Sequence, residues 1–363
     1  MKIIYVSYLP KTMSGGPKHS VPMQVNSQAN YDEVRWINMS PWGVDDSKVV
    51  CEIIQDKKTV LFEILSFRPD LVIFEDLYYF DFCWIGKKIF KKGIPYIIVP
   101  RGSLTIMAQK QKRLKKKVAN TLFFNRFAKN AVAIEFLTEM EMNNSEKVWQ
   151  KNHIIVPNGV KMPTVHSNPS LERDNIHLTF IGRLDPYHKG IDEFLKAFSN
   201  ALPLIKNGQR CKIDFYGPSY KEVLSNLRES VVDLGLESQI TFHPEVHGKE
   251  KERILLKTDI FILTSRFEGL PMGLLEALSY GIPSVVTNET NLGQLISNNG
   301  AGFSSTCNYK EIAINLIKML NMTQHELNNM SKNAIDFASK YNWDKIAAEA
   351  HHEYIRLVGG TRK

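Results

Sequence analysis

Cysteine is scarce in this chain: four residues in 363, Cys51, Cys83, Cys211 and Cys307, with neither CxxC spacing nor a His/Cys cluster. That pattern argues against a disulfide framework and a zinc site, and the expected compartment is a reducing cytoplasm. Long apolar runs are missing as well. The opening "MKIIYVSYLP" holds an apolar run too short for a signal sequence, and no stretch approaches the length of a membrane span. Apolar, charged, glycine and proline contents all lie near the averages for folded proteins, which excludes disordered and fibrous classes.

Enough chain is present for two domains, each of about 150–200 residues and each able to bury a core. In the first half, "KIIYVSYL", "EVRWINM", "PDLVIFED", "IPYIIVPRG" and "HIIVPNGV" are short β-branched runs separated by segments long enough for crossover helices. Such alternation predicts a parallel sheet covered on both faces. A polar stretch, "KMPTVHSNPSLERDN", then lacks any apolar period and reads as a linker. The second half repeats the pattern with "IHLTFIGRL", "CKIDFYG", "QITFHP", "DIFILTS" and "IPSVVTN". The predicted fold is α/β: two Rossmann-like doubly wound domains facing across a cleft, with ligands at the carboxyl ends of the strands. Expected boundaries are 1–160 for the first domain, 161–174 for the linker and 175–340 for the second domain. Residues 341–363 form a final helix returning to the first domain, with Trp343, Ile346, Ala347, Tyr354 and Leu357 at near-helical spacing.

Three stretches following predicted strands carry possible chemistry. In "FIGRLDPYHKG", Arg183 and Lys189 suit a diphosphate, one by bidentate hydrogen bonds and the other as a point charge; the alternative is a solvated basic turn. In "FEGLPMGLLEALSYG", a helix expected to begin at Pro271 directs its unpaired amides toward the preceding loop, a natural seat for phosphate. Glu268 and Glu276 then flank that seat as acceptors for hydroxyls, although Glu276 alone also reads as a carboxylate favoured by a helix N-terminus. In "SGGPKHS", Gly15 and Gly16 permit close backbone approach or simply make a turn; GxGxxG is absent and no ribose-binding acid follows, so dinucleotide binding is not supported.

Taken in order, "SGGPKHS", "VPNGV", "IGRLDPYHKGIDEFLKAF", "DIFILTSRFEGLPMGLLEALSYGIPSVVT" and the closing tryptophan helix resemble retaining glycosyltransferase family 4, whose members have the GT-B fold. The resemblance runs over nearly the whole chain. It implies a hexosyltransferase whose second domain holds a nucleotide sugar, expected to be UDP-linked. Arg183 and Lys189 would contact the diphosphate, and the backbone around Gly269, Leu270, Pro271 and Met272 would cap it. Glu276 would bind the ribose and Glu268 the sugar hydroxyls, while the first domain would hold the acceptor and bring Gly15 and Gly16 to the donor. Cationic groups would then stabilise the leaving diphosphate as the glycosidic bond breaks. No cofactor or metal is implied, in keeping with few DxD-like acidic clusters. The family mechanism implied is same-face attack, in which the departing phosphate helps take the acceptor proton and Glu268 orients the sugar without attacking it.

Two positions depart from the pattern. Pro100-Arg101-Gly102 stands where many relatives carry histidine, which makes Arg101 a candidate for the sugar contact, and Lys161 follows "PNGV" where an aspartate is common. A glycoside hydrolase using Glu268 and Glu276 as acid and nucleophile would leave Arg183, Lys189 and the helix start without a task. A sugar-nucleotide epimerase, a phosphorylase, or a non-catalytic sugar-nucleotide-binding partner subunit remain as alternatives.

The formal charge of +8 is uneven: "KKIFKKG" is followed by "KQKRLKKK", which includes Lys112, Arg113, Lys115, Lys116 and Lys117. Leu114, Val118 and Leu122 recur at i, i+4 beside it, with Phe123, Phe124 and Phe127 beyond. A basic amphipathic helix of this kind fits an anionic membrane, where each cation contributes about 1 kcal/mol, or else a solvated helix face. The expected setting is the inner face of the cytoplasmic membrane, with a glycan or lipid-linked acceptor from capsule, exopolysaccharide or O-antigen assembly. Nucleic acid is not expected, since no base-stacking module accompanies the charge.

Overall fold

The computed structural model describes residues 1–11, 16–44, 47–110, 113–149, 152–206 and 208–361. The chain divides into two compact units, Met1–Gly159 with the segment from Trp343 onward, and Val160–Asn342.

The first unit is built on a seven-stranded sheet. Its strands are β1 (Lys2–Ser7), β2 (Glu33–Asn38), β3 (Cys51–Ile53), β4 (Leu71–Glu75), β5 (Tyr96–Val99), β6 (Ala133–Phe136) and β7 (His153–Ile155). They are ordered β3-β2-β1-β4-β5-β6-β7 and every pairing is parallel. β4 and β5 are buried along their whole length, as expected of strands covered on both faces. On one face Phe74, Phe82, Tyr96 and Phe127 pack as edge-on, tilted and stacked rings.

The second unit has six parallel strands in the order β10-β9-β8-β11-β12-β13. These are β8 (Ile176–Ile181), β9 (Cys211–Tyr216), β10 (Ile240–His243), β11 (Ile260–Leu263), β12 (Ser284–Thr287) and β13 (Gly302–Ser305). Successive strands run outward from β8 on one side and from β11 on the other, so the order reverses between these two neighbours. The loops leaving them therefore diverge around the crevice where such sheets take ligands.

The helix Trp343–Thr361 belongs to the first unit: Tyr354 Oη donates to Glu135 Oε2 at 2.7 Å and Asn30 Nδ2 to Asp344 Oδ1 at 3.1 Å. Its buried face is Trp343, Ile346, Ala347, Ala350, Tyr354 and Val358; Leu357 is half-exposed, one position off the expected stripe. The stretch 161–174, expected as a linker, is tied into the second unit. Ser167 N donates to the Tyr280 carbonyl, Ser170 N to Asp259 Oδ1 and Leu171 N to Gln324 Oε1. Polar composition here reflects hydrogen bonding to that unit's surface and not a free tether.

The described residues of the basic segment are helical. Helix Ile106–Lys110 precedes Arg113–Ala119, which runs through a π-helical turn, Asn120–Phe124, into Asn125–Asn130. Phe124 and Phe127 turn into the core, whereas Leu114, Val118, Leu122 and Phe123 stay exposed. Among the described residues, no helix is long and apolar enough to cross a membrane.

Candidate donor site

The loop after β8 carries Arg183 and Lys189, and the loop after β11 carries Glu268. Gly190 lets them meet. Its φ is +62°, and a Cβ there would lie 1.9 Å from the Thr264 carbonyl oxygen, so only glycine allows this backbone to press against the end of β11. Lys189 is thereby delivered onto Glu268, and their ammonium and carboxylate pair directly. Ser265 Oγ donates to the same carboxylate oxygen at 2.6 Å. Asn291, itself at φ +66°, donates through Nδ2 to the carbonyls of Glu268 and Gly269, each at 2.7 Å, and so fixes the loop from behind.

The helix that follows is Met272–Ser279, starting one residue later than expected. Pro271 is its N-cap, with an extended ψ of 96°, and no side chain among the described residues caps the first turn. The amide end of the helix and its positive dipole therefore remain available to an anion. Leu274 and Leu278 are buried and Glu276 lies on the opposite, half-exposed side, where it pairs with Lys251 from helix Gly248–Lys257.

Arg183 is the most exposed of the group, at 56%, and its guanidinium reaches His188 Nδ1 at 2.9 Å and Asp185 Oδ2 at 3.9 Å. Arg183, Lys189, a helix start and the carboxylates of Glu268 and Asp185 are thus gathered at the carboxyl ends of β8 and β11, with the Glu276–Lys251 pair beside them. The arrangement can hold a dianion between cationic and amide donors and offer carboxylate acceptors to hydroxyls around it.

In the first unit Gly16 opens helix Gly16–Gln28 after β1, while Gly15 and Lys112 lie outside the described residues. Arg101 follows β5 at φ +47°, and its side chain is buried. Its Nε donates to Glu75 Oε2 at 2.7 Å, Nη1 to Ser20 Oγ at 2.9 Å and Asn158 Oδ1 at 3.2 Å, and Nη2 to Gln24 Oε1 at 2.7 Å. All three guanidinium nitrogens are committed within its own unit. Burial raises the Glu75 carboxyl above its ordinary range, against the pull of the Arg101 charge. Deeper in the same network, burial and then the Glu75 charge push Glu135 up to about 8.

Sequence reasoning did not name His188, Ser265, Lys251, Asn291 or Glu75. His188 lies inside the quoted "GRLDPYHKG" run and was open to notice. Lys251 and Glu75 reach their partners from other crossover units, and local spacing carries no sign of them. Among the described residues, no group of three His, Cys, Asp or Glu side chains is arranged to hold a metal ion. A cavity of about 510 Å³ between His153–Pro157 and the C-terminal helix contains none of the candidate residues.

Two parallel-sheet α/β units with a ligand crevice in the second define the GT-B class of fold. Sucrose-phosphate synthase from Thermosynechococcus elongatus shares it, with a TM-score of 0.75 over 99% of this chain and 100% of that one at 13% identity. Residues 163–337, within the second unit, match the model of glycosyl transferases group 1. A UDP-Gal:alpha-D-GlcNAc-diphosphoundecaprenol alpha-1,3-galactosyltransferase of Escherichia coli is 28% identical over 217 residues, covering 56% of this chain and 54% of its own. A GDP-mannose:cellobiosyl-diphosphopolyprenol alpha-mannosyltransferase of Xanthomonas oryzae is 21% identical over 176 residues, covering 48% and 46%. The chain thus spans about half the length of these curated relatives.

Proposed function

We propose that this protein is a retaining hexosyltransferase that moves a sugar from a UDP-sugar to a lipid-linked glycan in cell-surface polysaccharide assembly, without a metal ion or cofactor. The observation that carries the reading is the meeting of Arg183, Lys189 and an uncapped helix start at the ends of β8 and β11, with Glu268 held among them.

The diphosphate occupies the amide end of helix Met272–Ser279 and is neutralised by Arg183 and Lys189 as it leaves. Glu276 accepts from the ribose hydroxyls and Glu268 from the sugar. Glu268 already receives Lys189 and Ser265, which suits a carboxylate that orients a sugar better than one that attacks it. In the transfer, the bond from the anomeric carbon to the phosphate oxygen breaks with its electron pair going to the diphosphate. A bond to the acceptor oxygen forms on the same face, and the acceptor's proton passes to the departing phosphate. The first unit holds the acceptor.

Two relatives whose names specify diphosphopolyprenol-linked acceptors support the lipid-linked acceptor, and one of them supports UDP. Attachment to the inner face of an anionic membrane is supported by exposed Leu114, Val118, Leu122, Phe123 and Phe80 beside Arg113, Lys115 and Lys117. Lys116 is bent back onto the Ala108 carbonyl and the Tyr78 ring and contributes less.

Turnover of UDP-galactose and GDP-mannose, with and without a polyprenyl-diphosphate sugar and in excess EDTA, tests the reading. UDP-sugar turnover with retention that survives EDTA is expected. Binding without turnover would favour a partner subunit, and loss of activity restored by a divalent ion would end the metal-free mechanism. Replacing Arg113, Lys115 and Lys117 with glutamine should weaken binding to phosphatidylglycerol vesicles; unchanged binding would remove the membrane proposal.

A further inference from the structure

The loops after β8 and β11 are joined by an imidazole. His188 Nδ1 lies 2.9 Å from Arg183 Nη2, and Nε2 lies 2.9 Å from the Phe267 carbonyl oxygen. The ring stacks on that of Phe267 with centroids 4.0 Å apart and planes 14° from parallel. The main chain adds two further ties: His188 N donates to Asp185 Oδ1, and Arg266 N donates to the His188 carbonyl, each at 2.9 Å.

These partners fix the protonation state. A guanidinium only donates and a carbonyl only accepts, so Nδ1 must be the acceptor and Nε2 must carry the proton. An imidazolium would keep the bond to Phe267 and lose the one to Arg183. The charged groups around the ring are Arg183 and Asp185 from its own loop, Lys189 next in the chain and Glu268 from the loop after β11. Burial, then the Lys189 charge, lower the pKa of His188 below the ordinary imidazole range, with Arg183 adding in the same direction against Glu268.

We propose that neutral His188 is a positioning residue that holds the Arg183 guanidinium and the Phe267 loop in register, so that Arg183, Lys189 and the start of helix Met272–Ser279 address one diphosphate. This rests on the donor-site reading above. Both ring nitrogens are engaged within the protein, so His188 acts through Arg183 and not by touching the ligand.

The test is calorimetric binding of UDP-galactose and GDP-mannose to the full chain across pH, since the pyrophosphate of a nucleotide sugar does not titrate near neutrality. His188→Phe keeps the stacked ring and loses both side-chain hydrogen bonds. His188→Asn places an oxygen near the Nδ1 position and cannot be protonated. Above neutrality the Phe variant should bind about tenfold more weakly, the loss of one hydrogen bond to a charged group. The Asn variant should recover most of that loss. In an Arg183→Ala background the Phe change should cost much less than it does alone, because most of its effect passes through Arg183 and only the tie to the Phe267 carbonyl remains to be lost. Wild-type affinity should fall as the pH drops through the lowered imidazole pKa, and the Asn variant should lack that fall.

Full additivity of the Phe and Arg183→Ala losses, or an acid fall that persists in the Asn variant, would overturn the proposal. So would wild-type binding that tightens in acid, the mark of an imidazolium acting directly on the anion. If the Phe variant does not fold, the pH profile of the Asn variant decides alone. Wild-type protein that binds neither nucleotide sugar, or Arg183→Ala that binds as well as wild type, would instead remove the donor site itself and this proposal with it.

Discussion

An arginine follows a central strand in each unit, and the two have opposite fates. Arg101, after β5, is 7% exposed and holds Glu75, Ser20, Gln24 and Asn158 with all its nitrogens; Arg183, after β8, is 56% exposed and engages one imidazole closely. Position at a strand's carboxyl end therefore does not decide how many of a cation's donors the protein itself uses. A buried guanidinium must be satisfied by the protein before any ligand arrives, and once satisfied it becomes part of the framework. A half-exposed one keeps donors in water, which a phosphate can displace.

The sharpest way to break this contrast is to remove Arg101. Its loss leaves Glu75 buried without its cation and should destabilise the first unit by about 3–5 kcal/mol, the usual result of breaking a buried pair. Thermal unfolding checks the loss, and calorimetry should find nucleotide-sugar affinity of the folded chain unchanged. An Arg101→Ala protein of wild-type stability that has lost donor affinity would reverse the assignment.

Lys189→Ala is the counterpart in the second unit. Transfer should fall by about 100-fold or more in kcat/KM, as when one donor to a developing charge is removed. Glu268 keeps Ser265 as a donor, so the melting temperature should move less than for Arg101→Ala. Initial rates at subsaturating donor, set beside unfolding curves, separate the two residues.

How much of this contrast was legible in the sequence follows from the range of each interaction. Both sheets were readable because most of their strands are near-continuous runs such as "LVIF", "YIIV" and "IFIL"; three strands were missed, β3 as a three-residue edge strand, Cys51–Ile53, β6 because Glu135 interrupts its short run, Ala133–Phe136, and β13 because its edge run, Gly302–Ser305, is mostly glycine and serine. Arg183, Lys189 and Glu268 could be picked out because each stands next to a glycine, Gly182, Gly190 or Gly269, in a loop that follows a strand. The burial of Arg101 was not, since Glu75, Gln24 and Asn158 come from three distant segments and only the folded sheet assembles them. The stretch 161–174 misled for a related reason: its serines and asparagines look solvent-facing until the surface that binds them is known.

The buried side of the comparison also makes a prediction about pH. Glu135 is fully buried, accepts from Tyr354 Oη and Gln24 Nε2, and titrates at about 8 in the folded unit. Unfolded, it ionises in the ordinary carboxylate range, so across the window between, the folded state holds a proton that the unfolded state has released. The stability this gives is fully present in acid and is lost as the pH rises through the folded value, at up to about 1.4 kcal/mol per pH unit. Glu135→Gln should flatten the decline between about pH 5 and pH 8 in thermal unfolding, leaving a remainder with the same sign from Glu75, whose pKa burial also raises. An unchanged slope would mean that Glu135 is ionised in the fold and that the network is an ion cluster.

The smallest expected effect lies at the half-exposed edge of the second unit. Glu276 is 34% exposed and pairs with Lys251, so a ribose held there as proposed would compete with an ammonium for its oxygens. Surface pairs of this kind are worth little, about 0–1 kcal/mol, and are exchanged readily. Glu276→Gln keeps one acceptor oxygen but loses the charge that strengthens its hydrogen bonds, so the donor KM should rise by about threefold to tenfold with kcat nearly unchanged. Lys251→Ala should move KM the other way, because it frees the carboxylate for the ribose. Opposite signs for two partners of one ion pair would set this edge apart from the Arg101–Glu75 pair, where loss of either partner should do harm; a Lys251→Ala protein with a raised donor KM would mean that the lysine itself belongs to the donor contact.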